Sequence, residues 1–201
     1  MAPTDLVPIP EGINPGLRAA KQATMLQLLG NPRPTYDREC QPITNPSLRE
    51  HIVTGSVGPF RVTGFDRAVD SLSRVMSEIK VARPDVYASL GSAGMLCARL
   101  VRGSTVSISN HSWGTAVDLT IDGNLDQRGD GLCQKGLAEI APVFSQNGWF
   151  WGAAFGTEDA MHFEVGEETI RSWFSGSSPI ADILSLGDRG QDVVVHSRKA
   201  E

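Results

Sequence analysis

The clearest hydrophobic pattern in the chain is a stripe with helical spacing between Asp66 and Ala82. Its apolar positions follow one another at intervals of one or three residues: Ala68, Val69, Leu72, Val75, Met76 and Ile79. This spacing places them on one face of an amphipathic helix. Because proline does not continue a helix, we expect this one to end just before Pro84.

Two further helices are predicted with less regular patterns. Asn14 and Pro15 precede the stretch GLRAAKQATMLQLLG, which predicts a helix with Asn14 as its N-cap, Pro15 in its first turn and Gly30 at its end. A similar apolar stripe over 134–147 predicts another helix. Pro142 lies inside that stripe, so we expect this helix to be kinked or split.

Two short segments alternate instead between apolar and polar residues, which is the pattern of a strand with one buried face. In 115–121 the polar-facing side carries Asp118, and in 160–165 it carries His162 and Glu164. The opposite sides are apolar: Val117, Leu119, Ile121, Met161, Phe163 and Val165. Each strand therefore turns a residue that can bind a metal away from its apolar face.

The remaining pattern predicts an α+β fold with a small, mainly antiparallel sheet flanked by helices. The segment 31–64 is rich in proline and glycine, which favours a long connection with at most short strands such as Phe60-Arg61-Val62. There are no internal repeats and no regular βαβ alternation. A composition rich in Gly, Ser and Pro begins near the end of the chain, so we predict one compact domain over 1–175 and a linker and tail over 176–201.

Composition and charge narrow the function classes. The chain has 201 residues, of which 40% are hydrophobic and 20% charged, as in a globular protein with a buried core. The formal net charge is −5 and no basic stripe is present, which argues against nucleic acid as a partner. No window approaches the roughly 18 apolar residues of a membrane span, and the first residues lack the pattern of a secretory signal. We expect a monomer.

Three residues have the chemistry of a hydrolytic zinc site, which typically uses three nitrogen or oxygen ligands and leaves a fourth position open. They are His111, Asp118 and His162. A turn at Gly114 would fold the chain back so that His111 meets Asp118, while His162 reaches the same ion from a neighbouring strand, on the face of the sheet. Spacing alone is weak evidence, since a capping aspartate and a surface histidine are the commoner explanation of such a pair.

Two motifs strengthen this hypothesis. SNHSWGTAVD at 109–118 and DAMHFE at 159–164 occur in an order that resembles the zinc-dependent D-alanyl-D-alanine carboxypeptidase and L-alanyl-D-glutamate endopeptidase family, the VanY-like peptidoglycan peptidases. The stretches 94–104 and 147–156 are similar to two further segments of that family. The resemblance is close over 90–165.

The resemblance implies a role for each site residue. One zinc ion would be held by His111, Asp118 and His162. Asp159 would act as the general base, and Arg99 would stabilise the oxyanion of the tetrahedral intermediate.

Several assignments stay open at this point. Arg102 is an alternative to Arg99 as the oxyanion stabiliser. Ser109 would bind substrate or only the local turn. Among the tryptophans, Trp113 is the best candidate for substrate contact, although core packing is the commoner role.

Two glutamates, one just before the second motif and one at its end, compete with Asp159 as the base. Glu164 shares a face with His162, so it could instead orient that imidazole through its free N–H. Glu158 is expected to be solvated. One disulfide, for instance between Cys40 and Cys97, is neither required nor excluded, and Cys133 would then be a free thiol.

The function that the resemblance implies is hydrolysis of an amide bond in the peptidoglycan stem peptide. Cleavage between L-Ala and D-Glu is favoured, with D-Ala-D-Ala carboxypeptidase activity as the alternative. A non-catalytic zinc module that binds the cell wall, or an acidic structural protein of a phage particle, are the rivals. We expect action on the bacterial cell wall, as by a phage lysin released through a holin pore. The stretch 184–193 resembles the start of a peptidoglycan-binding repeat.

Overall fold

The structure, a computed structural model, describes residues 1–176. Its α-helices are α1 (Gln22–Leu29), α2 (Pro46–Glu50), α3 (Asp66–Ala82), α4 (Pro84–Ser89), α5 (Lys135–Gln146) and α6 (Glu167–Trp173). Its strands are β1 (Leu6–Pro8), β2 (Ile52–Ser56), β3 (Arg61–Phe65), β4 (Leu90–Gly94), β5 (Ala116–Ile121), β6 (Leu132–Gln134), β7 (Trp149–Trp151) and β8 (His162–Val165). Two short 3-10 helices span Asn110–Trp113 and Gly152–Ala154.

A four-stranded antiparallel sheet forms the centre of the fold. Its strand order is β4-β5-β8-β7, so the two strands predicted from alternation, β5 and β8, lie side by side in the middle. Two small antiparallel pairs, β1 with β6 and β2 with β3, accompany this sheet. The predicted α+β class, with small antiparallel sheets flanked by helices, is confirmed.

The core lies between the apolar face of the sheet and the helices α3 and α5. Val117, Leu119 and Ile121 of β5 are fully buried, as the alternation predicts. The helix α3 has the bounds expected from its stripe. The helix α5 matches the stripe predicted over 134–147 and runs on past Pro142 to Gln146.

The first helix begins later than predicted. It starts at Gln22, because Asn14 is not its N-cap: the Asn14 side chain instead exchanges two hydrogen bonds with the backbone of Trp151, at 3.0 and 2.8 Å. Downstream, the N–H groups of Ala20 and Lys21 donate to carboxylates of the distant β8 and α6. Those tertiary acceptors replace the intrahelical hydrogen bonds that a helix over 15–21 would need.

The segment 31–64 contains more regular structure than its proline and glycine content indicates. It holds the helix α2, and β2 pairs with β3 in a hairpin that extends well beyond the predicted short strand. The hairpin docks on the site region, since the Phe65 N–H donates to the Gly114 carbonyl at 2.9 Å. The hairpin is thus stabilised by Gly114, which is distant in the sequence, so the composition of 31–64 did not indicate it.

Cys40 and Cys97 form a disulfide with a Cα–Cα distance of 5.1 Å, and Cys133 is a buried free thiol. The bridge anchors the segment that leads to Arg99. Of the predicted linker and tail, everything after Gly176 lies outside the described residues, as does the stretch 184–193. Among residues 1–176, no helix is both long and apolar enough to cross a membrane.

Candidate metal centre

The three predicted ligands converge on one point beside the two middle strands of the central sheet. In the β5–β8 pairing, Asp118 lies directly opposite His162. His111 comes from the 3-10 helix Asn110–Trp113, which precedes β5 and ends at Gly114 in the left-handed conformation, with φ 68°. This tight reversal brings His111 back over the start of the strand, as the sequence predicts.

The distances among the ligand atoms fit a zinc ion. His111 Nε2 lies 3.2 Å from Asp118 Oδ1 and 3.2 Å from His162 Nδ1, and the third edge of the triangle is 3.1 Å. A tetrahedral zinc site with bonds of 2.0–2.1 Å has ligand–ligand edges of about 3.3–3.4 Å. The three side chains are therefore arranged as a metal site, and we call them the candidate metal centre.

The hydrogen bonds on the far side of each imidazole favour the same conclusion. His111 Nδ1 lies 2.8 Å from the Met95 carbonyl oxygen, and His162 Nε2 lies 2.9 Å from Glu164 Oε2. Both partners accept, so in each neutral ring the outer nitrogen carries the hydrogen. The lone pairs of His111 Nε2 and His162 Nδ1 then face the centre, as metal binding requires.

Glu164 is the orienting partner of His162, which is one of the two roles considered for it from the sequence. Its side chain is buried, and its second oxygen accepts a hydrogen bond from the Ala20 N–H at 3.0 Å. Glu158 instead accepts from the Gly131 N–H at 2.9 Å. Of the three candidate bases, Asp159 is thus the one whose carboxylate neither orients a histidine nor accepts a hydrogen bond from a backbone N–H.

In the metal-free centre, the neighbouring groups shift the pKa values of His162 and Asp118. Burial by itself lowers the pKa of His162, but its hydrogen bonds to Asp118 and Glu164 outweigh burial and raise that pKa to about 10. Burial raises the pKa of Asp118, yet the two neighbouring histidines more than compensate and hold it well below its ordinary value. The centre therefore offers a carboxylate to a cation at neutral pH, together with an imidazole that has a proton to lose.

A cavity of about 490 Å³ opens onto the candidate metal centre. The centre lies in its wall, and the other predicted site residues that line it are Arg99, Arg102, Ser109 and Asp159. Ser109 is buried and also serves the local turn, since its carbonyl accepts from the Ser112 N–H at 2.8 Å. The structure brings these side chains together around one space, which spacing could not establish.

Trp113 does not line this cavity. It has no exposed surface, and its indole N–H donates to the Gly30 carbonyl at 2.8 Å. We therefore assign it to the core, the commoner of its two roles, and not to substrate contact. The physical reason is that the 3-10 helix turns His111 towards the cavity and Trp113 into the protein.

Asp159 stands at the cavity with one free oxygen. Its Oδ1 is buried and has no hydrogen-bond partner among the residues that the structure describes, whereas its Oδ2 lies 3.4 Å from Arg128 Nε. Burial raises the pKa of Asp159, partly offset by the charge of His162. An unpaired carboxylate oxygen in a cavity is suited to accept a proton from water or substrate.

Arg99 also lines the cavity and is half-buried. Its backbone N–H donates to the Ser112 hydroxyl oxygen at 3.1 Å, and its Nη1 donates to the Leu100 carbonyl at 3.1 Å. Burial lowers the pKa of its guanidinium. Arg102 is exposed at the rim of the cavity. The deeper placement of Arg99 favours it as the cation for a buried oxyanion.

Sequence reasoning missed two contributions to this site. Arg128 lies on the connection between β5 and β6, and no local pattern distinguishes it from a surface arginine. The Met95 carbonyl that orients His111 is a backbone group, which leaves no trace in residue type. Only the fold brings either of them to the centre.

The comparisons with known proteins agree with this geometry. Residues 102–165 match a family model described as D-alanyl-D-alanine carboxypeptidase. The matched segment contains His111, Asp118, His162 and Asp159, but not Arg99. No curated protein sequence matches the chain. The resemblance to the zinc peptidase family is thereby confirmed over the part that carries the candidate metal centre.

Proposed function

Because residues 102–165 match the D-alanyl-D-alanine carboxypeptidase family, we propose that this chain is a zinc-dependent peptidase that hydrolyses an amide bond in the peptidoglycan stem peptide. The observation that carries the proposal is the triangle of ligand atoms, with edges of 3.1–3.2 Å and with the outer nitrogen of each imidazole hydrogen-bonded to an acceptor. A centre used only for structure would have no need of a cavity beside it.

In this proposal one zinc ion is held by His111, Asp118 and His162. The ion supplies Lewis-acid activation of water and of the scissile carbonyl. Asp159 takes a proton through its unpaired Oδ1 and later returns one to the leaving amine. Arg99 donates hydrogen bonds to the oxygen that becomes negatively charged, which is worth several kcal/mol in a site sheltered from water. Ser109 contacts the substrate at the cavity wall.

We place the cleaved bond between L-Ala and D-Glu. Asp at position 159, where part of the family has Glu, and the tryptophan two residues after His111 favour this endopeptidase branch. The description of the matched family favours the alternative, removal of a terminal D-Ala. The two activities release different products, so one digestion separates them.

The proposed site of action is the bacterial cell wall, reached as a phage lysin reaches it, through a holin pore. We propose a monomer, since all three candidate ligands and the candidate base come from one chain. The remaining rivals, a wall-binding zinc module without turnover and a structural phage protein, make different predictions about zinc and products.

The test is digestion of purified cell walls, followed by mass spectrometry of the new termini, with zinc-loaded and chelator-treated protein. We expect zinc-dependent release of fragments with new D-Glu amino termini; free D-alanine would support the carboxypeptidase alternative instead. His111→Ala should abolish both zinc binding and release, whereas His51→Ala, at the end of α2 and away from the cavity, should do neither.

Two results would overturn the peptidase proposal. Stoichiometric zinc with no product from any wall preparation would favour the binding module. Neither zinc nor product would favour the structural protein.

A further inference from the structure

The cavity brings several arginines together in a chain that is acidic overall. Three arginines line it, namely Arg99, Arg102 and Arg128, together with three carboxylates. Two of these carboxylates, Asp118 and Glu164, are engaged with the histidines. A divalent cation at the centre would leave the lining with a formal charge of about +2, against −5 for the whole chain. The cavity is therefore built for a substrate that carries negative charge.

Arg128, like Arg102, has no role in the proposed chemistry, and Arg128 is the one that lies beside Asp159. Its Nε lies 3.4 Å from Asp159 Oδ2, but its side chain donates no hydrogen bond to any residue within 1–176. About two-thirds of the side chain is buried, since its relative exposure is 33%. A guanidinium has five N–H donors, so those of Arg128 are available to a ligand in the cavity that supplies acceptors.

The backbone that carries Arg128 is held against the segment that carries Asp159. The Gly129 N–H donates to the Glu158 carbonyl at 3.2 Å, and the Gly131 N–H donates to the Glu158 carboxylate at 2.9 Å. Both glycines have positive φ, 86° and 78°, which fixes a tight turn that other residues rarely adopt. Arg128 and Asp159 are thus kept together as a pair in the cavity wall.

We propose that Arg128 binds the free α-carboxylate of the residue whose amine leaves, and so selects substrates in which that carboxyl group is not part of a peptide bond. The inference rests on the proposed peptidase function and deepens it. It assigns a specificity-determining role to a residue that the zinc chemistry does not use.

The position of the substrate's α-carboxylate follows from the proton transfer by Asp159. The base that takes a proton from water returns one to the leaving nitrogen, so that nitrogen lies beside Asp159 in the reacting complex. The α-carbon of the leaving residue is bonded to this nitrogen and also carries the α-carboxyl group. That carboxyl group therefore lies two bonds from the nitrogen. Arg128, in contact with Asp159, is the guanidinium at that place. Arginine and carboxylate match in shape and can form two parallel hydrogen bonds.

Both candidate substrates satisfy this requirement. In D-Ala-D-Ala the leaving residue is terminal and keeps its α-carboxylate. A D-glutamyl residue that continues the chain through its side-chain carboxyl group also keeps it. An ordinary peptide bond in that position has no such charge, so the inference predicts poor cleavage of ordinary peptides.

The test uses two synthetic peptides that differ only at this group: an L-alanyl-D-glutamyl peptide extended through the glutamyl side chain, with its α-carboxyl group as free acid or as carboxamide. A D-alanyl-D-alanine pair is made in the same way. For the wild-type protein we expect kcat/KM to favour the acid by about 10- to 100-fold, the range of hydrogen bonds to a charged group. Arg128→Gln should remove most of that preference by raising KM for the acid.

Three controls separate recognition from structural damage. Arg49→Gln, on the exposed surface of α2, should keep the wild-type preference. Arg128→Lys should restore part of it, since a point charge replaces the planar fork. Calorimetry with the product amine as acid and as amide, on each variant in the zinc-loaded and metal-free forms, reports recognition without turnover.

The outcomes are distinguishable. If the wild-type protein cleaves acid and amide equally, the inference is wrong while the peptidase proposal stands. If Arg128→Gln slows both peptides by the same factor through kcat, Arg128 acts only by positioning Asp159, and the inference is again wrong. If neither pair is cleaved and the product acid binds no better than its amide, both the proposed function and the inference fail.

Discussion

Asp118 and His162 face each other across the β5–β8 pairing, with His162 Nδ1 3.1 Å from Asp118 Oδ1. Successive side chains on a strand alternate between faces, so a slip of one residue in this register would turn one of the two away from the other. The same register is required to bury Val117 and Phe163 on the apolar face. The hydrophobic core therefore sets the geometry of the candidate metal centre.

Removing the candidate base should separate catalysis from metal binding. In Asp159→Asn we expect kcat to fall by about 100- to 10,000-fold, the usual contribution of general base catalysis, because the amide cannot take the proton. Zinc content, measured by atomic emission, should stay at one per chain because Asp159 is not a ligand. Asp70→Asn, on the exposed side of α3, is the matched control and should remain active. Full activity of Asp159→Asn would assign the base elsewhere.

The buried Glu164 should matter for metal affinity, although it does not touch the metal. In Glu164→Gln the charge that orients the His162 imidazole is lost, and we expect zinc to bind about 10- to 100-fold more weakly. Competition with a chromophoric chelator measures the change. Glu50→Gln, exposed on α2, should bind zinc as the wild type does. Unchanged affinity in Glu164→Gln would mean that the imidazole holds its orientation without the carboxylate.

Zinc uptake should release a proton at neutral pH. In the metal-free protein the pKa of His162 is raised to about 10, so its imidazole is protonated at pH 7, whereas a zinc ligand must be neutral. Affinity should therefore rise with pH, by about tenfold per unit below that pKa. Calorimetry at pH 7 in buffers of different ionisation enthalpy should give about one proton released. A buffer-independent enthalpy would contradict the proposed protonation.

The same shift predicts how the stability of the metal-free protein depends on pH. The pKa of His162 is higher in the folded protein, about 10, than its ordinary value of 6.5, so protonation stabilises the fold. This contribution is fully present below about pH 6.5 and is lost as pH rises towards 10. Thermal unfolding of metal-free protein should show Tm decreasing over this range. Zinc-loaded protein should lack this decrease.

Gly114 should tolerate no side chain, because two separate constraints act on it. Its φ is 68°, and a Cβ there would lie 2.7 Å from the Phe65 backbone nitrogen. Gly114→Ala should lower the free energy of unfolding by about 2–5 kcal/mol, the sum of backbone strain and overpacking. Gly123 also has positive φ, 76°, but open space around it. Gly123→Ala should therefore cost only about 1 kcal/mol in denaturant titration.

Residue order and periodicity were sufficient for the elements whose stabilising contacts are local or repeat regularly. The stripe of α3 and the alternation of β5 and β8 are set by side chains that recur on one face, and the structure has these elements close to where the pattern predicts them. The three candidate ligands were also predictable, because the motifs at 109–118 and 159–164 resemble those of the zinc peptidase family, whereas their spacing alone is weak evidence.

Other features depend on partners that are distant in the chain. The backbone of 15–21 bonds to Glu164 and Glu167 and so does not form a helix, although its local signals favour one. The orientation of His111 by a backbone carbonyl and the pairing of Cys40 with Cys97 are likewise products of folding.

The sequence by itself determined which side chains can bind a metal and which strands present them. Only the tertiary structure decided that these side chains meet in a triangle of about 3 Å, that Trp113 is buried, and that Arg128 stands beside Asp159. The physical reason is that periodicity fixes the face on which a residue lies, whereas distances between faces are fixed by strand register and by the packing of segments that are far apart in the chain.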